Sequence, residues 1–213
     1  MTSETDFFGR IRGAIGTRPE LSETPPIGEP LVRLCRHADD AAATFIQHAR
    51  ASGMMVTLTT RAELPQAVAS ALAAWSTSTA CALAAHSPED LEVIRRLAAG
   101  FAQSDPAMGD ALFAPGVVGV TDTFAAIAET GSIVMASSAT MPRAVFLVPD
   151  RHLAIVHASR VLPDLFDLFS DLNHPPAAMT IVTGPSKTAD IEGILITGVH
   201  GPREVHVIFV TDA

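Results

Sequence analysis

The chain has 213 residues, of which 48% are hydrophobic and only 5% aromatic, and 14 basic against 23 acidic residues give a formal net charge of −9. This hydrophobic content excludes a mainly disordered chain, and the acidic balance opposes broad contact with nucleic-acid phosphates. Because aromatic residues are scarce, we expect a core of alanine-rich helices packed on strands of valine and isoleucine.

Targeting and metal-binding signals are weak in this sequence. The first ten residues lack the basic start and apolar run of a secretory signal, and no stretch has the roughly 18 uninterrupted apolar residues of a membrane span. We therefore expect a cytoplasmic chain with no membrane span. Cys35 and Cys81 lie far apart and form no C-x-x-C pattern, so neither a disulfide framework nor a zinc ribbon is predicted. The histidine spacings likewise predict no metal site.

The first predicted element is a helix over residues 4–15, whose apolar residues recur at helical spacing. The segment Thr17–Pro30 contains four prolines and little apolar pattern, which is typical of an extended linker. We therefore assign residues 1–30 to an N-terminal helix and linker, and residues 31–213 to one globular domain.

Between residues 39 and 100, helix and strand alternate. Ser87 is the predicted N-cap of one of these helices, and Pro88 suits its first position. The predicted helices are Asp39–Ala51, Glu63–Trp75 and residues 87–99, and the predicted strands are Met54–Leu58 and Thr79–Ala84. This alternation predicts a parallel sheet with helices on its faces.

The second half of the chain is richer in strands. An amphipathic helix is predicted over Val161–Leu172, where large apolar residues recur at steps of three and four. The predicted strands are Val117–Thr121, Phe124–Ala128, Ser132–Met135, Ala144–Pro149, His152–His157, Ala178–Val182 and Glu204–Val210. We expect one α/β domain with a mostly parallel sheet flanked by helices.

The first candidate functional segment is Gly119–Ser132, in which polar residues follow two apolar strands. Ligands collect at the strand ends of such sheets, and Glu129 is a candidate general base or nucleophile. The alternative, which the sequence leaves open, is that the acidic side chains only cap turns. The candidate ligand-binding residues here are Thr121, Asp122, Thr130, Gly131 and Ser132.

The second candidate segment is Thr183–Glu192, which follows a strand and is predicted to open a helix. Backbone amides at a helix start attract anions, and Lys187, the only lysine of the chain, adds a full charge. The segment is not a Walker A loop, because Ser186 and Ile181 stand where that motif needs glycine. A capped turn, with Thr188 as N-cap, is the alternative. The candidate ligand-binding residues are Gly184, Ser186, Lys187 and Thr188.

The third candidate segment is Gly198–Arg203, a tight loop fixed by glycine and proline. Arg203 is a candidate for bidentate binding of a carboxylate, or for pairing with Glu129 or Asp190. His200 is a candidate proton shuttle, with a structural hydrogen bond as the alternative.

Taken in order, these segments resemble the LUD-domain family, specifically the LutC (YkgG-type) lactate utilisation proteins, over about residues 30–212. The motifs are Gly119-Val-Thr-Asp, Ala128-Glu-Thr-Gly131, Val148-Pro-Asp-Arg-His152, Thr183–Glu192 and Gly198–Arg203. The resemblance implies a NagB/RpiA/CoA-transferase-like fold and a part in oxidising L-lactate to pyruvate. By analogy with CoA transferases, it makes Glu129 the candidate catalytic residue.

The resemblance also implies partners, namely LutA/LutB-type proteins that carry iron–sulfur clusters or their binding motifs. This chain lacks the clustered cysteines that such a cluster needs. We therefore expect no cofactor on this chain and iron–sulfur clusters on its partner subunits. The chain would serve as an accessory subunit that binds a partner or a small anion. Two alternatives remain: a stand-alone NagB/RpiA/CoA-transferase-like enzyme, and a small-anion-binding sensor without turnover.

Overall fold

The computed structural model describes residues 3–16, 40–75, 80–104, 109–170, 172, 175–189 and 195–212. The chain divides into two compact units, Met1–Arg33 and Leu34–Ala213. In the first unit, helix α1 spans Glu4–Ile15, and the Ser3 hydroxyl caps it by accepting the Asp6 backbone N–H at 3.1 Å. The proline-rich segment 17–30 lies outside the described residues, so its assignment as a linker stays a prediction.

The second unit alternates helices and strands in its first part and is mainly strand afterwards. The described helices are α2 Ala41–Ala51, α3 Leu64–Ala74, α4 Pro88–Leu97, α5 Ala144–Leu147 and α6 Leu165–Ser170, with 3-10 turns at Gly109–Phe113 and Ala158–Arg160. The described strands are β1 Met55–Thr59, β2 Ala80–Ala84, β3 Gln103–Ser104, β4 Val117–Asp122, β5 Ala125–Ile127, β6 Ser132–Ala136, β7 Arg151–His157, β8 Val161–Leu162, β9 Met179–Val182, β10 Lys187–Ala189, β11 Leu195–Thr197 and β12 Glu204–Val210.

Six strands form a parallel sheet in the order β1-β12-β7-β4-β2-β3. A parallel pair needs a crossover connection rather than a tight turn, and here α3 lies between β1 and β2 and α4 between β2 and β3. As predicted, the Ser87 hydroxyl caps α4 by accepting the Asp90 backbone N–H at 3.0 Å, and Pro88 occupies its first turn. The predicted fold class, a mostly parallel sheet flanked by helices, is confirmed.

The sheet is buried on both faces by separate apolar clusters. Leu72 of α3 and Ile94 of α4 pack with Leu153 of β7 on one face. On the other face Phe45 of α2 stacks on Phe209 of β12, with ring centroids 5.8 Å apart. Burying each such side chain contributes roughly 1.5–3 kcal/mol, so the two clusters hold the strand ends in fixed positions.

A second, four-stranded sheet follows β4, in the order β8-β5-β6-β9. Ile133 and Met135 of β6 share the apolar cluster of α2, so this sheet packs on the α2 side of the molecule. Leu168 of α6 packs with Ile127 and Val134 in a third cluster. Strands β10 and β11 form a separate antiparallel hairpin.

The predicted helix Val161–Leu172 is wrong in its first half. Residues 161–162 form β8, which pairs with β5, and the Leu162 carbonyl accepts the Ala128 N–H at 2.8 Å. The helix starts only after Asp164, whose carboxylate accepts the backbone N–H groups of Phe166 and Asp167. An acidic N-cap and a distant strand partner therefore override the helical spacing of the first residues.

Two further predictions of local structure are wrong. The run Ala144–Pro149, predicted as a strand, contains the short helix α5, because a short apolar run carries no decisive periodicity. The segment after Gly184, predicted to open a helix, instead forms β10, whose Lys187 pairs with Thr197 of β11. Asp190 and Glu192 lie outside the described residues.

Gly131 fixes the contact between the second sheet and α2. Its φ is +64°, and an added Cβ would collide with the backbone of His48 and Ala49. Beside it, His48 Nδ1 donates to the Ala128 carbonyl at 2.9 Å. The turn of residues 128–131 is thus pressed against α2, and only glycine fits its last position.

We expect Gly131→Ala to destabilise the protein by about 2–5 kcal/mol, through strain at positive φ and overlap with α2. Urea denaturation measures this loss. The control is Gly100→Ala, where a Cβ meets nothing within 4 Å and φ is not left-handed; its effect should stay within about 0.5 kcal/mol. Equal stability of the two variants would contradict the proposed close contact.

Candidate functional site

The carboxyl ends of β2 and β4 form a crevice where the chain reverses its direction of crossover. Helix α4, which follows β2, packs on one face of the sheet. The strands that follow β4 pack on the opposite face. In open α/β sheets, ligands bind at such a switch point, outside the carboxyl ends of the strands. The fold therefore selects this edge as the candidate site.

Asp122, at the end of β4, is the central carboxylate of this edge and is only 4% exposed. Its Oδ1 accepts the backbone N–H of His86 at 3.0 Å and the Nδ1–H of the same residue at 2.8 Å. Its Oδ2 accepts from Arg160 at 3.3 Å. A buried carboxylate is costly unless it is paired and hydrogen-bonded, and these three donors meet both conditions.

The hydrogen bonds of His86 fix its tautomer. Its Nε2 lies 3.2 Å from the backbone nitrogen of Ala136, which can only donate, so Nε2 accepts and the ring proton is on Nδ1. The imidazole is therefore held between a carboxylate and an amide. Although the His86–Asp122 pair resembles a catalytic dyad, its far nitrogen is already engaged. We assign it a positioning role.

Arg160 joins the strand end to helix α4. Its Nη1 donates to the Thr123 carbonyl at 2.6 Å as well as to Asp122. Its Nη2 lies 3.8 Å from Oδ2 of Asp90, close enough for an ion pair but beyond hydrogen-bond distance. One edge of the guanidinium is thus fixed by the protein, and the other faces the cavity described next.

A cavity of about 390 Å³ opens at this edge, between β4, β7 and helix α4. Its charged and polar lining combines two arginines, two aspartates, a histidine and a serine; these are Arg61, Arg160, Asp90, Asp122, His157 and Ser159. Its apolar lining consists of Leu64, Val93, Ile94, Leu97 and Ile155. An apolar floor with a few convergent polar groups is the usual composition of a small-molecule site.

The pKa of His157, at the end of β7, is affected by the charged groups of the cavity. Burial lowers the pKa of His157, the positive charges of Arg160 and Arg61 lower it further, and Asp122 and Asp90 oppose this in part. The neutral imidazole is favoured, because a protonated His157 would be a third positive charge beside Arg160 and Arg61 and would be repelled by both.

Thr121, predicted beside Asp122, faces the opposite side of the sheet. Its hydroxyl lies 2.8 Å from Nε2 of His152, and both residues are fully buried. Burial lowers the pKa of His152 to about 4. The His152 Nδ1 has no hydrogen-bond partner in the part of the chain that the structure describes. Thr121 therefore stabilises the core rather than lining the cavity.

Several of the other predicted site residues lie close together, at the carboxyl end of α2 and away from the cavity. The hydroxyl of Ser132 lies 2.6 Å from that of Thr130 and 2.7 Å from that of Thr183. The backbone N–H of Ser186 donates to the Pro202 carbonyl at 2.9 Å. Gly184 approaches Ser52, at the end of α2, so closely that an added Cβ would overlap its carbonyl.

Lys187 is predicted at the start of a helix, where the partial charge is positive, but it lies at the end of one, where the partial charge is negative. Its Nζ donates to the Ser52 carbonyl at 3.2 Å, at the carboxyl end of α2. A cation is favoured there, because the last carbonyls of a helix carry partial negative charge. The predicted anion cradle at a helix start is absent from the described residues, since Lys187 and Thr188 belong to β10.

Arg203 and His200 precede β12 and so lie toward the amino edge of the sheet. Asp122 pairs with Ile155, and Ile155 pairs with Ile208, five residues beyond Arg203. At about 3.3 Å per residue the two ends are roughly 16 Å apart along the strands. Arg203 lines a different cavity, of about 400 Å³, with Arg151 and Glu204. The predicted residues therefore do not converge on one site.

Glu129, the candidate catalytic residue, lies in the turn after β5. Its backbone N–H donates to the Pro163 carbonyl at 3.0 Å, and its side chain is partly exposed. The turn is at the far end of β5 from Asp122, and Glu129 does not line the cavity of the carboxyl edge. Its catalytic role stays a prediction.

Sequence reasoning missed His86, Arg160, His157 and Arg61. A usable signal existed for His86, which comes two residues after the predicted strand 79–84 and directly before the helix cap Ser87, and so belongs to the same strand-end class as Asp122. Arg61 carries the same signal, since it follows β1 by two residues, whereas Arg160 lies in a 3-10 turn beyond β7.

Comparison with known proteins identifies the family. Residues 38–210 match the LUD domain.

The chain belongs to the LUD-domain family.

A crystal structure of a DUF162 family protein from Deinococcus radiodurans has the same fold, with a TM-score of 0.58 and 23% sequence identity; the match covers 80% of this chain and 96% of that one.

Relatives of this LUD domain include proteins named Lactate utilization protein C. That of Bacillus subtilis (strain 168) is 35% identical over 102 residues, which cover 45% of this chain and 42% of the relative. That of Bacillus licheniformis is 37% identical over 102 residues, with the same two shares. The aligned region thus spans less than half the length of these relatives. The predicted resemblance to LutC-type LUD proteins is confirmed.

The described residues contain neither a membrane-spanning helix nor a group of three metal ligands. None of their helices is both long and apolar enough to cross a membrane. Within the same residues, no three histidine, cysteine or acidic side chains are grouped as metal ligands would be.

Removing Arg160 should expose the cost of the buried Asp122 charge in this LUD domain. We expect Arg160→Gln to lower the free energy of unfolding by about 2–3 kcal/mol, because an unpaired buried charge remains. Asp122→Asn in the same chain should recover at least about 1 kcal/mol, since it removes that charge.

Urea denaturation of the two single variants and the double variant gives this coupling. The control Arg95→Gln removes a guanidinium whose only described partner is the exposed Glu92, at 3.8 Å, and should cost less than about 0.5 kcal/mol. Additive effects of the Arg160 and Asp122 substitutions would show that the two residues are independent.

The buried His152 should make the fold sensitive to acid. Its pKa is about 4 in the folded chain against an ordinary value of 6.5, so between these values only the unfolded chain binds the proton. Stability therefore falls as the pH falls through 6.5 towards 4. From His152 alone we expect a loss of about 2 kcal/mol between pH 7 and pH 5.

Denaturation at both pH values should show a smaller loss for His152→Gln than for the wild type. His157 and His206, whose pKa values burial also lowers, leave a residual dependence in both chains. The control His200→Gln replaces an exposed histidine and should keep the full loss. The same loss in His152→Gln and the wild type would mean that His152 is not the group responsible.

Proposed function

We propose that this LUD domain is a LutC-like subunit of an L-lactate oxidation system. The observation that carries the proposal is the family match over residues 38–210, together with relatives named Lactate utilization protein C at 35–37% identity. Because the aligned region covers only 42% of those relatives, the activity and partners of the whole system belong to the proposal.

The redox chemistry of this system would take place on partner subunits. The chain has two cysteines, whereas an iron–sulfur cluster is held by four cysteine ligands in its common forms. Cys81 is buried in the cluster under α3 and α4, and burial raises the pKa of its thiol to about 11, which disfavours the thiolate that binds metals. Cys35 lies outside the described residues. LutA/LutB-type iron–sulfur proteins are the proposed partners.

The rival functions differ from this one in what they require of the chain. A stand-alone enzyme of the NagB/RpiA/CoA-transferase type would turn over a phosphosugar or an acyl-CoA and would use Glu129. No described contact links Glu129 to the carboxyl-edge cavity, so the geometry does not favour this reading. A sensor would bind a ligand without turnover, which is compatible with the cavity but leaves the family relationship unexplained.

Deletion of the gene tests the proposal. The deletion strain should grow poorly on L-lactate as sole carbon source and normally on pyruvate, because pyruvate enters metabolism after the lost step. The wild-type gene supplied in trans should restore growth on lactate. Normal growth of the deletion strain on lactate, in the absence of a second lactate-oxidising enzyme, would refute the proposed role.

A pull-down with the full chain tests the subunit assignment separately. Proteins with cysteine-rich iron–sulfur motifs should be recovered with it, and the destabilised variant Gly131→Ala should recover less. Recovery of no iron–sulfur protein, in a strain that does need the gene for growth on lactate, would refute the partner assignment and leave the lactate role intact.

A further inference from the structure

The cavity at the carboxyl edge contains one arginine side chain without an ion-pair partner among the described residues. Arg160 forms ion pairs with Asp122 and Asp90. The guanidinium of Arg61 makes no ion pair or hydrogen bond with a described residue, whereas its backbone N–H donates to Asp212 at 2.7 Å. Both guanidinium groups act on the same neighbour, His157. One arginine at the cavity thus lacks a counter-ion within the described protein.

The geometry of Arg160 leaves donors for a ligand. Its Nη1 donates to Thr123 and Asp122, while among the described residues its Nη2 has only the ion pair with Asp90 at 3.8 Å. Arginine presents its N–H groups in a fixed fork that matches a carboxylate or phosphate. Because one side of the fork is held by the strand end, the remaining side keeps its orientation without a ligand, which lowers the entropic cost of binding.

The rest of the cavity is apolar and is too large for lactate alone. Its volume of about 390 Å³ lies in the range of sites for drug-sized ligands, whereas lactate offers one methyl group as its apolar part. Five aliphatic side chains line the cavity, and Val93, on α4, is 49% exposed there. Covering such surface favours a ligand with an apolar body.

We propose that this cavity binds an amphipathic organic anion larger than lactate, with its anionic head at Arg61 and Arg160 and its apolar body over the aliphatic lining. This inference goes beyond the lactate role, because it concerns a ligand of the chain itself. His157 lines the same cavity and is positioned to hydrogen-bond the head. Asp122 is not a ligand contact, since both of its carboxylate oxygens already accept hydrogen bonds from His86 and Arg160.

Calorimetric titration of the purified full chain tests the proposal with four probes: octanoate, octanamide, octylamine and L-lactate. Octanoate has both the anionic head and the apolar body and should bind at least about tenfold more tightly than each of the others, since a hydrogen bond to a charged group contributes about that factor. Octanamide lacks the charge, octylamine reverses it, and lactate lacks the apolar body.

Variants locate the site. Arg61→Gln should weaken octanoate binding about tenfold by removing the head contact, and Val93→Asp should weaken it similarly by adding a negative charge to the apolar lining. The matched control Arg96→Gln removes an exposed guanidinium of the same helix, whose ion-pair partner among the described residues is Glu92, and should leave the affinity unchanged. Both lining residues are exposed, so neither substitution removes a core contact.

Three outcomes would overturn the proposal: no binding of octanoate, equal affinity for octanoate and octylamine, or the same affinity in Arg61→Gln, Val93→Asp and Arg96→Gln. Lactate binding as tight as that of octanoate would refute the size requirement. The titration uses no lactate metabolism, and growth on lactate uses no octanoate, so the failure of this proposal and that of the proposed function can be told apart.

Discussion

The carboxyl edge of the sheet is organised around one charge that water scarcely reaches. Asp122 ends β4 with 4% of its surface exposed, and its three donors come from His86 and Arg160, far from it in sequence. Each donor is itself fixed: His86 by the amide of Ala136, Arg160 by the Thr123 carbonyl. The strand end, the loop before α4 and the turn after β7 are therefore joined through a single carboxylate.

That arrangement depends on the path of the chain. Parallel strands must be joined across a face of the sheet, and the crossovers here change face between β2 and β4. The change opens the sheet edge where Asp122 ends β4 and His86 follows β2, and α4 then provides the aliphatic wall of the cavity. Packing, rather than any local motif, thus brings charged and apolar groups together at this edge.

The sequence predicts the parallel sheet well, because long helices with clear caps, such as the one that Ser87 begins, alternate with apolar strands. It fails at short elements whose partners are remote: β8 is a strand only because β5 lies beside it, and β10 only because of β11. Asp122 follows from the rule that polar residues gather at strand ends. Arg160 does not, because its position depends on the turn after β7.

The position of Arg203 illustrates a signal that the sequence offered. A residue just before a parallel strand lies at the opposite edge from a residue just after one, so Arg203 and Asp122 belong to different ends of the sheet. The motifs that carry the family resemblance are in large part contacts of the scaffold: Gly131 and Gly184 approach α2, and Ser186 holds the loop before β12. Such motifs identify a family through the packing of its fold, and they do not indicate which residues bind a ligand.

The ammonium group of Lys187 caps the carboxyl end of α2, and no other lysine occurs in the chain. Reagents that modify lysine side chains therefore have a single target in this chain. A lysine-directed cross-link to another molecule would report on the neighbourhood of α2 and β10, and acetylation of this residue would remove the cation from a helix end. Surface labelling through lysine would leave the carboxyl edge of the sheet untouched.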